Sequence, residues 1–116
     1  MEQFELVKKI VKILDSKKAE DIEVINISDL TIIADYFVIC SGNSSTQVKA
    51  LADEVDKVLS EQGIEPHHIE GYRGANWILM DYDDVVVHIM YKEAREFYKI
   101  ERLWADAEKL DIKSIL

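Results

Sequence analysis

The stretch from Trp77 to Tyr91, WILMDYDDVVVHIMY, constrains the fold most tightly. Trp77-Ile78-Leu79-Met80 and Val85 to Met90 are apolar runs, the second broken only by His88. Asp81-Tyr82-Asp83-Asp84 lies between them, and aspartates favour turns because their carboxylates bond the local backbone. The pattern predicts a hairpin of two strands apolar on both faces. Such strands need cover on both faces, as in a sheet packed against helices. The flanking segments supply helical patterns.

Phe4, Val7, Ile10, Val11 and Leu14 recur at helical spacing and predict a first helix ending near Ser16 to Lys18. Ile22 to Ile27 reads as a short strand. The loop from Ser28 to Asp35 is unusually apolar, and Leu30, Ile32, Ile33 and Ala34 are expected to bury. Tyr36 to Cys40 is rich in β-branched and aromatic residues and reads as a strand. After the turn Ser41 to Ser44, Ser44 and Gln47 have capping-box spacing. Val48, Leu51, Ala52, Val55, Val58 and Leu59 form the apolar face of a second helix, with Gly63 placed to end it and Pro66 blocking continuation. His67 to Gly74 reads as a short strand start plus loop. From Lys92 to Leu110 the spacing of Phe97, Ile100, Leu103, Trp104, Ala107 and Leu110 predicts one long helix, and Asp111 to Leu116 is expected to fray.

The resulting order is α-β-β-α-β-β-α in one domain over residues 1–116, an α/β (α+β) fold with a mixed β-sheet flanked by helices. The 116 residues, 48% apolar, suffice for one core. No run of 18 or more apolar residues suggests a membrane span, and no apolar leader suggests secretion. The lone Cys40 cannot form an intrachain disulfide and fits a reducing compartment. A formal net charge of −9 disfavours direct nucleic-acid binding.

The candidate chemical motifs each have a plainer reading. Gly42-Asn43-Ser44 at a strand-to-helix turn resembles an anion site, but lacks the length and Lys of a P-loop and is better read as a turn and helix cap. Asp81, Asp83 and Asp84 have oxygen ligands for a divalent cation, yet occupy a hairpin turn where solvated acids are common. His67 and His68 are adjacent and point to opposite faces of a strand, so they do not make a zinc pair, and His88 reads as a sheet-face histidine with a hydrogen-bonded ring. Cys40 ends an apolar strand and reads as core. No catalytic, cofactor or metal residues are assigned. By contrast, Tyr91, Lys92, Arg95, Phe97, Tyr98, Glu101 and Trp104 crowd aromatics among charges, the composition of protein interfaces. Phe97 and Trp104 are expected in the core, with Tyr98 one position off it.

The chain resembles the ribosomal silencing factor family, also called the Iojap, RsfS or YbeB family, over nearly its whole length. The resemblance rests on Ala34 to Gly42 with Ser44-Ser45, Val48 to Asp53, Glu70-Gly71, Trp77 to Asp81, Asp84 to His88, Arg95 to Tyr98, and Glu101 to Ala107. Each motif is weak alone, but their order and spacing are specific. Asp in the hairpin turn Tyr82-Asp83-Asp84, where many members carry Gly, and Met90 are small departures. The resemblance implies a nucleotidyltransferase-like fold without that catalysis, which accounts for the Gly-Ser and Asp-x-Asp signals. It implies binding to the large ribosomal subunit through its ribosomal protein fourteen, blocked joining of the small subunit, translational repression, and a part in large-subunit assembly. A nucleotide- and metal-dependent nucleotidyltransferase is the alternative.

The partner-binding surface expected on this basis comprises Trp77, Asp81, Tyr91, Lys92, Glu93, Arg95, Tyr98, Glu101 and Trp104. Trp77 and Tyr91 are the apolar anchors, while Asp81, Glu93 and Glu101 are to pair with a basic partner, because ribosomal RNA repels an acidic chain. An open sheet edge suggests a homodimer when free. The absence of a transit extension suggests a bacterial cytoplasm.

Overall fold

The computed structural model describes residues 3–116. The elements are α1 (Gln3–Ser16), β1 (Glu20–Asn26), β2 (Tyr36–Gly42), α2 (Ser45–Glu61), β3 (His68–Glu70), β4 (Trp77–Asp81), β5 (Val85–Tyr91), α3 (Lys92–Tyr98), α4 (Ile100–Leu103), β6 (Glu108–Leu110) and α5 (Ile112–Ile115). The expected mixed sheet is present, with six strands in the order β3-β4-β5-β2-β1-β6. β2 and β5 run parallel at its centre, and the other pairs are antiparallel.

The central strand β5 is buried from Val85 to Met90. Alternation divides it between two cores. Val85, Val87 and Ile89 face α1 and α2, where they meet Val7, Ile10, Leu14, Leu51, Val55 and Leu59. Val86 and Met90 face the opposite side with Ile25, Phe37, Ile39 and Ile100. Each such side chain contributes about 1.5–3 kcal/mol when buried. The β4–β5 turn uses its aspartates as expected: Asp83 has φ 72° and its N–H donates to Asp81 Oδ1 at 2.8 Å. At the start of α2, the Gln47 N–H donates to Ser44 Oγ at 3.1 Å. The Asn43 N–H donates to Gln47 Oε1 at 2.6 Å, so both capping residues are used, with the glutamine reaching one residue further back. Gly63 follows the end of α2 with φ 79°.

Three expectations fail. The segment after Lys92 is not one helix. Lys99 adopts a left-handed conformation (φ 47°, ψ 50°) that separates α3 from α4, and the chain then returns as β6 against β1. Ile100 alone of the apolar series is fully buried, and Phe97 and Leu103 point outward. The tail does not fray: α5 follows β6, with Asp111 capping it through Lys113 N–H and Ile115 buried against the α1 side. Of the four apolar residues expected to bury in the loop 28–35 only Ala34 does, whereas Leu30, Ile32 and Ile33 are exposed. The backbone explains the last case. Turn bonds from Leu30 and Thr31 to the Ile27 carbonyl, and from Ile27 to Asp35, close the loop outside the sheet. The sheet edges are β3 and β6, each only three residues long.

Candidate partner-binding face

The two faces of the sheet are covered unequally. α1 and α2 lie across one face. The other carries the irregular segment from α3 to β6, anchored by Ile100, with Ile27 and Ala34 of the β1–β2 loop in the same cluster and Trp77, Leu79, Trp104 and Ala107 packed around it. The result is a step-like aromatic surface. Trp104 packs edge-on against Phe37 at 5.4 Å, Phe37 against the His88 ring at 4.5 Å, and Trp77 against Tyr98 at 5.2 Å. Phe97 continues the series against Tyr98 at 5.0 Å. Phe97 is 79% exposed, Leu103 76% and Tyr98 53%. Large exposed aromatic and aliphatic side chains clustered in this way mark interaction surfaces.

His88 sits beneath Trp77. The Trp77 indole N–H donates to His88 Nδ1 at 3.0 Å, which requires the tautomer with its proton on Nε2. Burial lowers the imidazole pKa to about 4, so the ring is neutral at physiological pH. Nε2 has no hydrogen-bonding partner among the described residues and lies within the ring cluster formed with Phe37.

Arg95 holds the aromatic segment in place. It is buried, and its Nε donates to Glu101 Oε1 at 2.9 Å while Nη1 donates to the Asp21 carbonyl at 2.6 Å and Ser41 Oγ at 2.9 Å. Nη2 lies 3.6 Å from Glu23. One guanidinium therefore ties α3 to β1, β2 and α4. Burial by itself pushes the Glu101 carboxyl up. Hydrogen bonds from its own backbone and from Arg95, with the nearby positive charge, more than offset this and leave it below the usual carboxylate range.

The nine residues expected at a partner surface thus divide. Trp77, Tyr98 and Trp104 come together on the open face, Trp77 and Trp104 half-buried. Lys92 and Glu93 are exposed on α3. Arg95 and Glu101 are engaged with each other inside. Asp81 lies at the far end of β4 from Trp77, capping the hairpin turn 3.7 Å from His68. Tyr91 packs with the α1–α2 core, on the opposite side of the sheet. Phe97, expected in the core with Trp104, and Leu103, expected on the same apolar helix face, are the most exposed members of the face. The signal that would have found them is the backbone reversal at Lys99, which no glycine or proline marks.

The other motifs are occupied locally. Ser44 and Gln47 cap α2, and His67 Nε2 meets Asp83 Oδ2 at 2.6 Å. Burial pushes the Cys40 thiol up to about 12, which leaves no thiolate. Among the described residues no group of three or more His, Cys, Asp or Glu is gathered as metal ligands would be. No helix among them is long and apolar enough to cross a membrane.

These features define an α/β domain with helices over one sheet face and an aromatic, open second face. The family model described as "Ribosomal silencing factor during starvation" matches residues 1–116. The ribosomal silencing factor RsfS of Halalkalibacterium halodurans is 44% identical over 116 residues, covering 100% of this chain and 99% of that protein. A crystal structure of a Chromobacterium violaceum protein superposes with a TM-score of 0.88 at 38% identity, covering 90% of this chain and 88% of that one. The mouse protein named for mitochondrial assembly of the ribosomal large subunit is 34% identical over 98 residues, covering 82% of this chain and 43% of that protein. The chain belongs to the ribosomal silencing factor family.

Proposed function

We propose that this protein binds the large ribosomal subunit through its ribosomal protein fourteen and sterically blocks joining of the small subunit, so repressing translation without catalysing a reaction. The observation that carries the reading is the exposed apolar cluster of Phe97, Tyr98 and Leu103 beside the half-buried Trp77, in a member of the ribosomal silencing factor family. Aromatic side chains with few rotatable bonds anchor interfaces at low entropic cost. Steric occlusion needs only a bound domain at the right place, and the local engagement of the Ser, His and Asp motifs is consistent with that. The bacterial cytoplasm is the setting this reading implies.

The mouse relative's name supports a second role in assembly of the large subunit, using the same contact. When free, the protein pairs with a second copy. Both sheet edges are only three residues long, so the aromatic face or the exposed Leu30–Ile33 loop is a better contact for that pairing than an edge.

The test is binding of purified ribosomal protein fourteen to wild type, Tyr98→Ala and Phe97→Ala. Saturable binding weakened by both substitutions supports the reading. Binding that ignores both moves the interface elsewhere, and no binding of the wild type refutes the named partner.

A further inference from the structure

The charge of −9 is distributed unevenly. From Glu20 to Tyr91, 14 acids face only three bases, Lys49, Lys57 and Arg73. From Lys92 to Lys113, six acids face six bases. The segment that builds the aromatic face is therefore electrically distinct from the acidic body. A cleft of about 530 Å³ opens beside it, lined by Lys92, Lys99 and Arg102 together with Ser41 and Arg95. The three outer cations are exposed, and none makes an ion pair among the described residues. Of the acids in the same cleft, Glu23 and Glu101 are taken up by Arg95, and Glu23 also by Lys109 at 3.2 Å. That leaves Asp21 and Glu96 against three free cations. Lys99 is held at its strained left-handed position between α3 and α4, directly after Tyr98.

We infer that Lys92, Lys99 and Arg102 form a phosphate-contacting rim that meets the ribosomal RNA backbone beside the aromatic face. The inference rests on the proposed function, since a surface docked on a ribosomal protein is surrounded by RNA phosphates. It revises the expectation, drawn from net charge alone, that RNA only repels this chain. The acidic body faces away from the RNA while the neutral segment turns towards it. Cations left unpaired at the rim of an apolar patch add electrostatic affinity that falls with salt as released counterions are replaced. They fix orientation without reading sequence. The aromatic anchors select the protein partner, and the rim makes the assembled subunit a better target than the isolated protein.

The experiment compares wild type with Lys99→Gln/Arg102→Gln for binding to intact large subunits and to isolated ribosomal protein fourteen, over a series of salt concentrations. Both side chains are exposed, and thermal melting checks that the variant stays folded. On intact subunits the expected result is roughly tenfold or greater loss of affinity at low salt, with a log–log salt slope shallower by about 1.5 for two lost phosphate contacts. Affinity for the isolated protein is expected to stay unchanged. Equal loss on both targets would assign the cations to the protein contact and overturn the inference, as would no loss on either. Wild type that binds neither target would overturn the functional reading itself, and this inference with it.

Discussion

The indole of Trp77 on β4 donates a hydrogen bond across the sheet to His88 on β5, with 3.0 Å between Nε1 and Nδ1. The bond fixes which imidazole nitrogen carries the proton and seats a half-exposed tryptophan on a buried base. It also makes the aromatic face sensitive to acid. In the unfolded chain a histidine takes up a proton near pH 6.5, whereas burial lowers the folded value to about 4. Between those values the unfolded state binds more protons, so stability falls as pH drops through this window. The loss amounts to about 3 kcal/mol by pH 4, where the folded imidazole is itself half protonated. Denaturant midpoints measured from pH 7 to pH 4 should show a steeper decline for wild type than for His88→Leu, which has no proton to gain. Parallel profiles would contradict the account of a buried neutral imidazole.

Arg95 is the second point of leverage. Replacing it with Met removes one partner of a largely buried ion pair, strands the Glu101 carboxylate and leaves Glu23 with Lys109. Breaking such a pair costs about 3–5 kcal/mol. Arg95→Met should lower the melting temperature sharply, and Arg95→Lys less so, because Lys keeps the charge but not the fork of donors. Glu101→Arg should be comparably destabilising through repulsion. Weak partner binding by Glu101→Arg would therefore report a displaced segment rather than a lost contact, and unchanged melting of both variants would contradict this assignment.

Ser44 gives a local test of how α2 is positioned. Its hydroxyl accepts the Gln47 N–H at 3.1 Å. Ser44→Ala should cost about 1 kcal/mol in chemical denaturation. Gly71 should be far less tolerant. It has φ 78°, and a Cβ there would run into the carbonyl of Trp77, so Gly71→Ala must displace the start of β4. Loss of the tryptophan's native fluorescence in that variant is the expected readout.

The exposed aliphatic loop yields the opposite expectation. Ile32 and Ile33 are outside the core, so Ile32→Ser/Ile33→Ser should change stability by no more than about 0.5 kcal/mol. A large drop in melting temperature would mean that the loop packs against the domain after all.

Much of this architecture was legible from spacing. Hydrophobic runs broken by aspartates locate β4, β5 and their turn, and the Ser44–Gln47 pair locates the start of α2. Where the reading failed, the sequence pattern was truly ambiguous. Phe97, Ile100, Leu103 and Trp104 satisfy a helical repeat, but a repeat records apolar character and not what that character faces. Two of these residues face the core side and two face outward. Leu30, Ile32 and Ile33 mislead in the same way. Composition puts an arginine at the surface, and the burial of Arg95 depends on acceptors supplied by β1, β2 and α4. Tyr91 as an apolar anchor and Asp81 as a charge partner share no surface with Trp77. Strand alternation puts Tyr91 on the other face, and the length of β4 takes Asp81 to the other end.

The most direct measurement is subunit joining followed by sedimentation. Purified large and small subunits are mixed with wild type or with Phe97→Ala/Tyr98→Ala. Wild type is expected to travel with the large subunit alone and to reduce the joined ribosomes, while the variant stays folded and binds more weakly by about 2 kcal/mol or ~30-fold. Undiminished joined ribosomes at saturating wild type, or equal attachment to the small subunit, would contradict it.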